Sequence, residues 1–128
     1  MIAIARSLRI AVALCVLAQP CVGFEIVDRT AEKVPAEALQ TLNLLDKILK
    51  DPYSAKVKNL GVSSDRRFFC GEVNSKNGFG AYSGYQIFTI NLSDQKIDLV
   101  DRLPKRHVAY KLAKLGFHYT GCLWIDYD

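Results

Sequence analysis

An apolar run of nine residues at positions 10–18 (IAVALCVLA) decides how much of this chain is available to fold. Arg6 and Arg9 precede it without any acid, Gln19-Pro20 ends it, and Cys21-Val22-Gly23 sets small residues just before Phe24. A basic start, a short apolar middle and a small-x-small cut site are the three parts of a cleavable secretory signal. A membrane-spanning helix needs about 20 apolar residues, and nine followed by Gln-Pro fall short. The expected products are a signal over 1–23 and one domain over 24–128, periplasmic or secreted and without a transmembrane anchor. Lipidation at Cys21 is the alternative processing, and Ala18-Gln19-Pro20 is a poor match to its Leu-small-Gly/Ala pattern.

Cleavage would discard Cys15 and Cys21 and leave Cys70 and Cys122. In an oxidising compartment an even cysteine count usually means bridges, and two thiols allow one intramolecular pairing. A bridge closing about 50 residues stabilises by about 4 kcal/mol in the chain-entropy model. Two unpaired buried thiols are the alternative. No CxxC is present, which argues against a thiol-exchange catalyst. Losing Arg6 and Arg9 takes 17 basic residues to 15 against 13 acids, a net charge of +2. So small and scattered an excess points away from nucleic acid. The remaining chain of about 105 residues suffices for one core and is marginal for two.

Residues 24–34 are polar and irregular, a loose lead-in. Pro35-Ala36-Glu37 places proline and an acid where a helix start favours them. Ala38, Leu42, Leu45 and Leu49 recur at helical spacing, widened by Leu39 and Ile48, which predicts a helix over 35–49. Asp51-Pro52 stops it, and Asp51 or Ser54 is expected to cap free backbone donors there. Strands are predicted over 54–62, 66–74, 85–92 and 96–100. In the second, Phe69 and Val73 share one face, with Phe68, Cys70 and Glu72 on the other. Pro104 opens a second helix with Val108, Leu112 and Leu115 as its apolar stripe and Gly116 as its terminator. Cys122 would fasten the aromatic tail to the strand over 66–74. The order is an N-terminal helix, three to four antiparallel strands, a second helix and a short tethered tail. That order argues for an α+β fold with helices on one face of the sheet.

The loop over 75–85 stands out. It carries Asn77-Gly78 as a turn dipeptide, Gly80 and Gly84 beyond it, and the aromatics Phe79, Tyr82 and Tyr85. Long ordered loops with exposed aromatics are often binding surfaces. The plainer alternative is that its glycines only bend the strands, while Asn74 and Asn77 satisfy turn backbone and the tyrosines cover the core edge.

Three segments together resemble a family of small exported proteobacterial proteins. They are Leu49-Lys50-Asp51-Pro52-Tyr53-Ser54-Ala55, then Cys70-Gly71-Glu72-Val73-Asn74-Ser75-Lys76-Asn77, then Gly80-Ala81-Tyr82-Ser83-Gly84-Tyr85. The pattern is L-x-D-P-x-S-A, C-G-x-V-N-x-K-N and G-x-Y-x-G-[YF], and it covers residues 49–88. The resemblance implies export and the fold, and it supplies no reaction.

Catalytic signals are sparse. His107 and His118 lie eleven apart with no paired Cys or His nearby, so no metal site and no cofactor are expected. No G-x-S-x-G elbow is present, and a bridged cysteine is no nucleophile. Glu72 near Lys76 reads as a surface ion pair. Three functions stay open. The first is a non-catalytic binding module, in one version an inhibitor or immunity-type protein. It would present Asn74, Lys76, Asn77, Phe79, Tyr82 and Tyr85 to a protein or cell-envelope partner. The second is a small hydrolase of cell-wall or other extracellular polymer, with Glu72 as acid and Asp51 or Asp126 as second carboxylate. The third is a structural accessory of an envelope assembly.

Overall fold

Apolar residues in the middle of the chain build a sheet whose central strands are buried on both faces. The computed structural model describes residues 24–128; the signal expected over 1–23 lies outside the described residues. The strands are β1 (Glu25–Ile26), β2 (Lys56–Val62), β3 (Phe68–Asn74), β4 (Gln86–Asn91) and β5 (Lys96–Val100). They lie in that order in one sheet. β2 to β5 are antiparallel neighbours, whereas β1 adds to β2 in parallel, so the sheet is mixed. The lead-in over 24–34 is therefore not loose. The N–H groups of Glu25 and Val27 donate to the carbonyls of Ala55 and Val57 at 2.9 and 3.0 Å. A 3-10 turn at Thr30–Lys33 follows.

The first helix forms in pieces: α1 (Ala36–Gln40), a 3-10 turn (Thr41–Leu44) and α2 (Leu45–Ile48). Thr41 explains the break. Its buried hydroxyl donates to the Ala38 carbonyl at 2.5 Å, a back-bond that competes with the regular helical ladder. The predicted stripe survives, with Ala38, Leu42 and Leu45 buried and Leu49 packed at the margin. They meet Val57, Leu60, Phe69, Val73, Phe88 and Ile90 of the sheet.

The second helix, α3 (Tyr110–His118), lies on the opposite face, where Phe117, Cys122, Ile125 and Tyr127 cover Cys70 and Ile87. Helices on a single face is thus corrected. β3 and β4 carry apolar side chains on both faces, and each face needs a cover. Cys70 and Cys122 are bridged, tethering the tail to β3 as the sequence suggested.

The apolar stripe assigned to this helix is also corrected. Val108, Leu112 and Leu115 are 100%, 74% and 52% exposed. Phe117 is buried instead, with Tyr110 and Ala113 packed beside it. Two apolar faces compete in this segment, and the aromatic one wins because its rings pack on Tyr127. The Tyr110 and Phe117 ring centroids lie 6.0 and 5.9 Å from that ring. The helix runs through Gly116, and Gly121 takes the positive φ of 77° just beyond its end. No helix among the described residues is long and apolar enough to cross a membrane.

Candidate functional site

The loop over 75–85 is a small hairpin tied by its own side chains. Lys76 and Tyr82 form an isolated bridge. The Asn77 amide donates to the Ala81 carbonyl at 2.8 Å, and the Gly80 amide donates to the Asn77 carbonyl at 3.0 Å. The side-chain oxygen of Asn77 accepts from the amides of Phe79 and Ala81, at 2.9 and 3.3 Å. That of Asn74 accepts from the Gly84 amide at 3.1 Å. Both asparagines are thus engaged by loop backbone, a positioning role.

The second anchor is Ser54, in the 3-10 turn Pro52–Ser54. Its hydroxyl donates to the Asp51 carbonyl and accepts from the Lys76 amide, each at 2.8 Å. Its carbonyl accepts from the Tyr82 hydroxyl at 2.9 Å. The capping expected at a helix start is therefore not made, and Ser54 accepts instead from an amide 22 residues away in the loop. The Asp51 side chain makes no cap. Segments that are remote in the sequence pattern meet here, and this contact is what their residues have in common.

The surface so formed is aromatic and cationic. Phe79 at the tip is 97% exposed, and Tyr53 and Tyr82 are also exposed. Lys56 and Lys76 lie over the Tyr82 ring at 5.1 and 5.8 Å, and Lys58 over the Tyr85 ring at 4.1 Å. The Lys50 ammonium lies 3.8 Å from where a Cβ at Gly78 would stand. Lysines above ring faces hold both partners in place while their edges stay open to another molecule. A hollow of about 500 Å³ lined by Lys33, Pro35, Ala38, Val62, Ser63 and Arg66 shares no residue with this loop. The loop is a protrusion and suits a surface better than an enclosed small molecule.

Glu72 lies elsewhere and in a different state from that expected. It is buried, 7% exposed, and does not pair with Lys76. One carboxylate oxygen accepts from Arg102 at 2.9 Å and the other from the Asn59 side-chain amide at 2.5 Å. Arg102 also donates to the carbonyls of Tyr85 and Asp126. Asp126 thus contributes its main-chain oxygen, and no second carboxylate is joined to Glu72. Both of its oxygens already serve structural donors, which is not the arrangement of a proton-delivering acid.

Asn59 and Arg102 escaped sequence reasoning. The β2–β3 register shifts between Lys58 and Gly61, and Asn59 at this bulge has φ 54°. Its amide donates to the Asp28 carboxylate at 2.8 Å, and the Leu60 amide donates to the Thr30 hydroxyl at 2.9 Å. Burial alone would raise the Asp28 pKa, but the hydrogen bonds from Asn59 and Thr30 hold it below the usual carboxylate value. The Asn59 carbonyl accepts from the Trp124 ring N–H at 2.8 Å, and Gly61 leaves room for that indole. An asparagine and a glycine breaking an alternating strand are the trace this bulge leaves in the sequence.

No group of three His, Cys, Asp or Glu able to hold a metal ion occurs among the described residues. His107 lies in the turn before α3, where its Nδ1 accepts from the Ala109 amide at 3.0 Å, and His118 ends the helix. Comparison with protein-family models, curated proteins and solved structures found no match to this chain.

Proposed function

We propose that this protein is an exported, non-catalytic binding module whose loop over 75–85 docks on a protein or cell-envelope partner. The observation that carries this is Phe79, 97% exposed at the tip of a loop whose backbone is fixed by Asn74, Asn77 and Ser54. An aromatic on a fixed backbone has only two side-chain torsions to lose on binding, and aromatics dominate interface energies. The lysines around it favour a partner with acidic groups rimming an apolar hollow. An inhibitor or immunity-type protein is one form such a module takes. Export, to the periplasm or beyond, and kinship with the small exported proteobacterial family belong to the same proposal.

Asn74 and Asn77 serve in it as loop braces; Lys76, Phe79, Tyr82 and Tyr85 are the contact residues. Phe79→Ala tests it cleanly, because that side chain packs on nothing that holds the fold. Capture of envelope components on immobilised protein should fall about tenfold or more, with the melting temperature moving less than about 3 °C. Undiminished capture by both Phe79→Ala and Tyr82→Ala would sink the proposal.

A further inference from the structure

The outward face of α3 is a second surface, independent of the loop. Leu112 and Leu115 lie on the side of the helix opposite buried Phe117, Tyr119 at its C-cap continues their spacing, and Val108 is exposed in the turn just before it. Each is more than half exposed, as is Leu123 beyond the helix end. The charge of this segment is one-sided. Residues 102–125 hold Arg102, Lys105, Arg106, Lys111 and Lys114 and no acid, whereas the rest of 24–128 holds ten basic residues and 13 acids. Arg102 pairs with Glu72 and Lys114 with Asp128, and Asp128 is also engaged by Tyr110. Lys105, Arg106 and Lys111 are in no ion pair among the described residues. Lys105 and Arg106 precede the helix, where cations oppose its dipole, so helix stability does not account for them.

An apolar ridge flanked by unpaired cations is the pattern of a helix that lies in a membrane interface. We propose that α3 and the turn before it dock in the plane of an anionic lipid bilayer. Val108, Leu112, Leu115 and Tyr119 enter the headgroup–acyl boundary, and Lys105, Arg106 and Lys111 meet lipid phosphates. A second copy of the chain fits less well. A two-fold contact would set the same cations against one another. Four side chains on a short helix also fall far below the roughly 800 Å² per partner of a stable interface.

The test is co-sedimentation of the full chain with sucrose-loaded vesicles of phosphatidylglycerol and phosphatidylcholine, against phosphatidylcholine alone. Binding should require the anionic lipid and weaken with salt. The pair Leu112→Glu and Leu115→Glu, and separately Lys105→Glu and Arg106→Glu, should each lower partitioning about tenfold or more. Lys47→Glu, a like change of charge on α2 at the other face of the sheet, should leave it unchanged. These positions are exposed, and an unaltered near-ultraviolet circular dichroism spectrum confirms that each variant is folded. Wild-type binding by the glutamate variants would locate any lipid affinity elsewhere in the chain and overturn the proposal. Equal binding to phosphatidylcholine alone would overturn it too. So would a concentration-dependent mass, without vesicles, that the leucine substitutions abolish.

Discussion

On one face of the sheet, Ala38, Leu42 and Leu45 lie on Leu60, Phe69, Val73, Phe88 and Ile90, and among the described residues no hydrogen bond joins this helical segment to the strands. On the other, the buried cluster is smaller, and directed bonds supplement it. Cys122 is bridged to Cys70, and the Tyr127 hydroxyl accepts from the Leu103 amide and donates to the Asp101 carbonyl. Arg102 joins Glu72 to the Asp126 carbonyl, and the Trp124 ring N–H donates to Asn59. Burial by area needs a whole helix face turned inward, whereas a tail held by a bridge and named hydrogen bonds does not. This difference lets α3 leave an apolar ridge in water.

Removing bulk and removing the staple should therefore fail in different ways. Phe88→Ala empties the middle of the first face, where the ring packs so closely that a Cβ at Gly71 would stand 2.7 Å from it. The expected loss is about 4 kcal/mol, as a single cooperative unfolding of both faces in urea. Replacing Cys70 and Cys122 together by Ser should cost about 4 kcal/mol. Hydrogen exchange should then show α3 amides opening well before those of β3 and β4. Simultaneous loss of protection in α3 and the sheet would erase the distinction.

The same contrast explains what could be read from the sequence. The first face was legible because its code is periodic: Ala38, Leu42 and Leu45 at helical spacing, Phe69 and Val73 at strand spacing. The bridge was legible because two cysteines admit one pairing. On the second face periodicity misled, since Leu112 and Leu115 make as good a stripe as Tyr110, Ala113 and Phe117. Only the position of Tyr127, ten residues after Phe117, decides between them. The Asn59–Glu72–Arg102 connection joins residues 13 and 30 apart through a bulge, which no local pattern encodes. At the candidate site, the turn chemistry of Asn77-Gly78 was local and visible. The docking of Ser54 on Lys76 was not, although the resemblance set both segments side by side.

Arg102→Ala probes the wiring of the second face without touching its apolar contacts. It leaves the Glu72 carboxylate buried with only the Asn59 amide for support. A fully buried charge stripped of its partner costs 3–5 kcal/mol, and partial exposure of Arg102 reduces the expected loss to about 2 kcal/mol. Adding Glu72→Gln to this variant should restore part of the loss in urea titrations, because the uncompensated charge is then gone. No recovery in the double variant would mean that the arginine acts through its bonds to Tyr85 and Asp126 instead.

The smallest effect separates geometry from wiring most sharply. Asn59 and Gln95 share nearly the same left-handed backbone, φ 54° and 55°, which costs a non-glycine residue about 1 kcal/mol. Gln95 lies in the turn between β4 and β5, is exposed, and its side chain holds nothing in place. Gln95→Gly relieves the strain at the cost of a more flexible unfolded chain, and a net gain of about 0.5 kcal/mol is expected. Asn59→Gly relieves less strain, because asparagine tolerates this backbone better than glutamine, and it removes the amide that donates to Glu72, a bond to a charged group. That variant should lose about 1 kcal/mol. If both glycines stabilise equally, backbone strain alone governs the two sites, and the directed bonds of the second face contribute less than their geometry implies.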